Sequence, residues 1–172
     1  MSKISPTHLF CLDEHRTFFE DVKKRFSDTS KYKVASFSSK DEFMKHLAGE
    51  KEHSYCKVAV LVLYEVKENG SIIENQTREI KKIDPKTGLI LVYPVEIGEE
   101  IKKAVKFNID AYIPRNSNSI LRLHNIVKRL ISKHNLEIFR KRRNRSLYIL
   151  IAFLLLCAIV VLLAYLKLPE YF

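Results

Sequence analysis

Asp13 and Glu14, in the stretch LFCLDEH, are adjacent carboxylates at the end of a short apolar run. Such a pair either holds a hard divalent cation through oxygen or sits at a helix start, where acids favour the macrodipole and Asp is a good cap. Arg115, in AYIPRN, follows another apolar run; it either pairs with Asp13 or stands in solvent. Carboxylates, a metal and a cation are parts of phosphoryl-transfer chemistry, which on a protein side chain also needs a nucleophile. Other chemistries lack their motifs: the chain has no Gly-rich phosphate loop, Ser/His/Asp arrangement or metalloprotease signature. Its six histidines form no ligand cluster, and Cys11, Cys56 and Cys157 lack CxxC spacing. Neither a disulfide framework nor a metal or other cofactor is expected, and an odd cysteine count suits a reducing compartment.

The elements that must position these residues follow from hydrophobic period. Apolar runs at HLFCL, YKVASF, KVAVLVLY, GLILVY and DAYI alternate with stretches of helical spacing. The first helix is expected in EHRTFFEDVKKRF, with Phe18, Phe19, Val22 and Phe26 on one side, and the second in SKDEFMKHLAG. A third lies around ENQTREIKKI, a fourth over GEEIKKAVKF, and the fifth begins at SILRLHNIVKRL. Ser39 and Ser117 are the expected N-caps of the second and fifth helices, and Asp84-Pro85 ends the third. Runs such as VAVLVL are apolar without alternation, as strands covered on both faces should be, so an α/β fold with a parallel sheet between two helical layers follows. Five such strands with right-handed crossovers give the flavodoxin-like order 2-1-3-4-5. Ligands in such sheets bind beyond the C-terminal ends of the strands, at Asp13 and Glu14, Val62 to Glu65, Tyr93 and Arg115.

From residue 6 to about 135 the chain resembles the receiver domain of bacterial response regulators, above all in the order of its elements. The resemblance sets Asp13 and Glu14 at the acidic pair that holds Mg²⁺, Arg115 at the family's lysine, Asn116 at the proline after it, and Tyr112 at the switch aromatic. KENGS matches a loop turn, with Asn69-Gly70 suited to positive φ. It also implies an acceptor aspartate at the end of the third strand, where Val62 stands, or Leu61 one register away, and a Ser/Thr where Tyr93 stands. Neither Val62 nor Leu61 is a nucleophile. The resemblance therefore implies a non-enzymatic pseudo-receiver, an interaction module whose partner surface would lie around Tyr93, Lys102, Lys103, Lys106, Tyr112 and Arg122. Tyr93 and Tyr112 alternatively just fill space. Two other functions stay open: a phosphorylatable receiver with an atypical acceptor such as Glu65 or Asp13, and an accessory scaffold subunit of a membrane complex.

From Leu147 to Leu166 there is no charge, Pro or Gly. At ~1.5 Å per residue a helix of that length crosses the ~30 Å hydrocarbon core of a bilayer. Arg140, Lys141, Arg142, Arg143 and Arg145 precede it and Lys167 follows, which puts the N-terminal part in the cytoplasm. The expected organisation is a receiver-like core over 1–118, the last receiver helix with a basic connector over 119–145, a span over 146–167 and a short external tail over 168–172, a tail-anchor arrangement. No apolar N-terminal stretch long enough for a secretory signal is seen. With the family's bacterial setting, the location is the inner membrane. The net charge of +10 divides into +2 over residues 1–118 and +8 over 119–172. That basicity suits anionic headgroups rather than nucleic acid. Partners are therefore the membrane, an unidentified protein that is itself membrane-bound in the simplest case, and, as an alternative, a second copy of the chain. No Pro or Gly interrupts the run from Ser119 to Lys167, so one helix is expected to continue into the span as a stiff connector.

Overall fold

The computed structural model describes residues 5–50, 55–64, 70–98, 101 and 108–167. The strands are β1 (Thr7–Leu12), β2 (Tyr32–Phe37), β3 (Lys57–Val62), β4 (Gly88–Tyr93) and β5 (Ala111–Pro114). The described helices are α1 (Thr17–Arg25), α2 (Lys40–Gly49), α3 (Gly70–Ile83) and α4 (Ser119–Lys167), with a single 3-10 turn at Val95–Ile97. All strand pairs are parallel and the order is β2-β1-β3-β4-β5, the flavodoxin-like arrangement. The expected helix over GEEIKKAVKF falls almost wholly outside the described residues.

Side-chain alternation splits the core into two layers. Leu9, Cys11, Val58, Val60, Val62, Ile90, Val92 and Ile113 face α1 and the first turns of α4, packing on Phe18, Val22, Leu123 and Val127. Phe10, Ala59, Leu61, Leu63, Leu89, Leu91 and Tyr93 face the other way, onto Phe43 and Leu47 of α2 and Ile73 and Ile80 of α3. All residues of β3 and β4 are buried, as expected for central strands covered on both faces. At Gly88 a Cβ would come within 2.8 Å of Leu130 Cδ1, so the start of β4 is glycine where α4 lies closest.

The expected caps differ in detail. Ser39 occupies the N-cap position of α2 with extended backbone, but its side chain makes no capping hydrogen bond. Ser117 is not the cap of α4. The turn before that helix is closed by Asn116, whose Oδ1 accepts the Asn118 N–H at 3.0 Å, and by Ser119, whose Oγ accepts the Asn116 N–H at 2.7 Å; the helix starts at Ser119, as its apolar spacing indicates, so Asn118 and not Ser117 directly precedes it. Gly70 is the first residue of α3 rather than part of a turn, while Asn69 lies outside the described residues.

Lys57, 5% exposed, opens β3 with its ammonium directed inward. It donates to the Glu50 carbonyl at the end of α2 at 2.6 Å and to Asp84 Oδ2 at 2.7 Å. Asp84 Oδ1 also takes the Lys86 N–H at 3.0 Å. Burial raises the Asp84 pKa, but the Lys57 and Lys86 hydrogen bonds outweigh it and hold the carboxyl below its ordinary value.

The chain divides into two compact units, Met1–Ile131 and Ser132–Phe172. In the second, Leu147, Ile149, Phe153, Leu156, Ile159 and Leu162 are all exposed. By length and composition this helix is apolar enough to cross a membrane.

Candidate functional site

Asp13 directly follows β1 and is fully buried, whereas Glu14 is exposed. The Asp13 N–H donates to the Phe37 carbonyl of β2, which fixes the backbone at the strand end. Its Oδ2 accepts the Phe19 N–H at 2.9 Å and its Oδ1 the His15 N–H at 3.3 Å. The first of these gives an acceptor to an orphan N–H in the first turn of α1, so Asp13 caps the helix from outside it. Arg16, with φ 58°, makes the left-handed bend that lets the chain turn back over this carboxylate.

The remaining partner of Asp13 is Tyr64. Two residues past Val62, it lies on the same face by strand alternation and donates its hydroxyl to Asp13 Oδ1 at 2.5 Å. Thr17 Oγ1 is 2.9 Å from the same hydroxyl oxygen, and Arg115 Nη2 donates to Thr17 Oγ1 at 3.4 Å. The Arg115 guanidinium lies over the Tyr64 ring at 4.2 Å from its centroid, and His15 meets that ring edge-on at 4.4 Å. Of the two readings of Arg115, the ion pair with Asp13 does not form, because Tyr64 and Thr17 stand between the two charges, and the side chain is partly solvated. The outer side of Arg115 lines an open cleft of about 340 Å³ with Thr17, Asp21 and Ser117. Burial raises the Tyr64 pKa, and the bond to Asp13 adds to it, against smaller opposing effects of Thr17 and Arg115. The phenol thus stays protonated and a donor at neutral pH.

Val62 is 7% exposed and Leu61 2%; both belong to the core. Tyr93, 4% exposed, packs on Gly98, where a Cβ would meet its ring at 2.9 Å. Tyr112 is half-buried, which raises its pKa, and Arg122 is exposed on α4. Lys102, Lys103, Lys106 and Glu65 lie outside the described residues.

The resemblance to receivers raises the fit of Mg²⁺. Three of about four acceptor positions on the Asp13 carboxylate are taken by His15, Phe19 and Tyr64. Among the described residues no group of three or more His, Cys, Asp or Glu could hold a metal ion. The described residues therefore do not fit the cation. Sequence reading held Tyr64 within the strand-end segment Val62 to Glu65 without a role for it, and missed Thr17 and His15. The available signal was period two along β3, since Val60, Val62 and Tyr64 share a face.

Burial also governs the thiols. It lifts Cys56 to about 11 and, with Asp13 nearby, puts Cys11 far above the ordinary thiol range. Neither should react with a maleimide in the folded chain at neutral pH, the Cys56 rate lying about a hundredfold below that of a free thiol because so little thiolate is present. Labelling before and after denaturation, read by peptide mass, checks this; rapid native labelling of either residue would contradict it.

No family model and no curated protein matches the chain. Solved structures do. A response regulator receiver domain protein from Clostridium thermocellum superposes with a TM-score of 0.60 at 19% identity, over 76% of this chain and 98% of that one. A response regulator from Thermotoga maritima gives 0.53 at 21%, over 74% and 98%. An adenylate cyclase structure from Rhodopirellula baltica gives 0.63 at 11%, over 81% and 98%. The fold is that of receiver domains.

Proposed function

We propose that the chain is a receiver-fold signalling module that acts by protein contact, takes up no phosphoryl group, and is held at the cytoplasmic face of the inner membrane by the apolar part of α4. One observation carries the non-catalytic reading. β3 ends in the buried, apolar Val62 where phosphoryl uptake needs a carboxylate, and the polar group next on that face, Tyr64, is already committed to Asp13. Arg115 stands where the family has a lysine, and its guanidinium lies over the Tyr64 ring. The test is whether the intact chain gains phosphate from a small phosphodonor.

The anchoring part rests on the exposed apolar residues from Leu147 to Leu162 and on the five cations at 140, 141, 142, 143 and 145. Each cation near the surface contributes ~1 kcal/mol of attraction to an anionic leaflet. Alkaline carbonate should leave the full chain in the membrane pellet, and deleting residues 147–167 should move it to the supernatant. Protease outside intact cells should spare the Met1–Ile131 unit. Release by carbonate would remove the anchor, and external cleavage within that unit would reverse the orientation.

The partner surface proposed is the face bearing Tyr112 and the exposed Arg122, together with the lysines at 102, 103 and 106. A membrane-bound protein is the partner that suits a module fixed at the headgroup surface, and a second copy of the chain is the alternative.

A further inference from the structure

The donors around Tyr64 run in one direction. Its hydroxyl donates to Asp13 Oδ1, so its oxygen accepts from Thr17, whose own oxygen accepts from Arg115. The result is a chain from cation to carboxylate through two hydroxyls, Arg115 Nη2 to Thr17 Oγ1 to Tyr64 to Asp13 Oδ1. Each link leaves the next oxygen free to donate onward, and linked bonds of this kind polarise one another. The guanidinium over the Tyr64 ring adds a cation–π contact at the far side. The residues come from three strand ends: Asp13 and Thr17 follow β1, Tyr64 follows β3, and Arg115 follows β5. In an α/β sheet these are the segments that a bound ligand would otherwise draw together.

We propose that Tyr64 is a built-in latch, joining the β1–α1, β3–α3 and β5–α4 connections through Asp13, Thr17 and Arg115 and standing where a cation and an oxyanion would otherwise link them. This deepens the contact-module reading and rests on it. The described residues Asp13, Thr17, Tyr64 and Arg115 are then held in one arrangement without any ligand. Removing the hydroxyl cuts the chain at its centre: Asp13 loses a donor, Thr17 loses the acceptor of its proton, and Arg115, still over the ring and bonded to Thr17, is no longer linked to Asp13. Tyr64→Phe isolates this effect, because the ring and its stacking survive. Thr17→Val breaks the neighbouring link with an isosteric side chain.

Hydrogen exchange on the full chain in lipid nanodiscs reads the result by segment. In the unaltered protein, protection of the His15 and Phe19 amides, both bonded to Asp13, should be the same with and without millimolar Mg²⁺ and beryllofluoride. In Tyr64→Phe, exchange at these amides and around Arg115 should rise together by about tenfold, the effect of losing a hydrogen bond to a charged group. Thr17→Val should raise exchange in the same two segments. Unchanged exchange in Tyr64→Phe, or loosening confined to one segment, would overturn the latch, as would protection gained by the unaltered chain with Mg²⁺ and beryllofluoride. Phosphate uptake by the unaltered chain would instead sink the contact-module reading. A silent Tyr64→Phe in a chain that takes no phosphate removes the latch alone.

Discussion

Lys57→Met should lower stability by about 3–5 kcal/mol, the cost of leaving a buried charge without its partner. Lys57 is 5% exposed and its ammonium sits between the Asp84 carboxylate and the Glu50 carbonyl, so deleting it takes the only cation from the buried Asp84 charge among the described contacts and a donor from the carbonyl. It also removes a positive charge from the C-terminal end of α2, where helix carbonyls point. Methionine nearly matches the lysine stem in volume, so the loss is electrostatic rather than a packing defect. The double variant Lys57→Met with Asp84→Asn should recover most of the loss, since Asn keeps an oxygen for the Lys86 N–H without the buried charge. Urea titration of the full chain in detergent, followed by tyrosine fluorescence, compares the three proteins. A single variant within about 0.5 kcal/mol of the parent, the range of surface substitutions, would mean that the pair is hydrated and unimportant.

The pair has a pH signature. Because the Asp84 pKa is depressed in the folded chain, the folded state releases this proton more readily than the unfolded state. Its contribution is therefore present above the ordinary value of 3.8 and fades as pH falls through the folded value. His124 acts in the same direction at higher pH: burial, then Arg25 and Lys128, lower its pKa below 6.5, so protonation in mild acid favours the unfolded chain.

The sheet was legible because its signal is local. YKVASF and GLILVY coincide with β2 and β4, and the strand order follows from crossover handedness once five βα units are recognised. Helix starts were less legible, since they depend on caps that lie apart in sequence. EHRTFFEDVKKRF is helical only from Thr17, because Asp13 accepts the Phe19 N–H across the bend at Arg16. The site was half legible. Asp13, Val62 and Arg115 were found at strand ends, but the group that joins them, Tyr64, reads locally as one more apolar strand residue, and its partner Asp13 is 51 positions away. In place of an Asp13–Arg115 pair, one of the two arrangements opposite charges suggest, stands a relay through neutral hydroxyls, which have no charge pattern to reveal them. Lys57 and Asp84, 27 positions apart, were hidden in the same way, since nothing along the chain marks one lysine of many as buried.

The contact-module account depends on the chain taking up no phosphoryl group. Transfer from a phosphodonor to a receiver-like site forms an acyl phosphate: a carboxylate oxygen attacks phosphorus, and the bond to the leaving carboxylate of the donor breaks. Val62 and Leu61 have no oxygen to attack with, and Asp13 is buried with three hydrogen bonds on its carboxylate. The direct measurement is incubation of the full, membrane-embedded chain with labelled acetyl phosphate and Mg²⁺, with hydroxylamine-sensitive phosphate then counted per chain. The account predicts none above that of a denatured control. Stoichiometric labelling that hydroxylamine removes would contradict it, and its loss in Glu65→Gln or Asp13→Asn would identify the carboxylate that carries it.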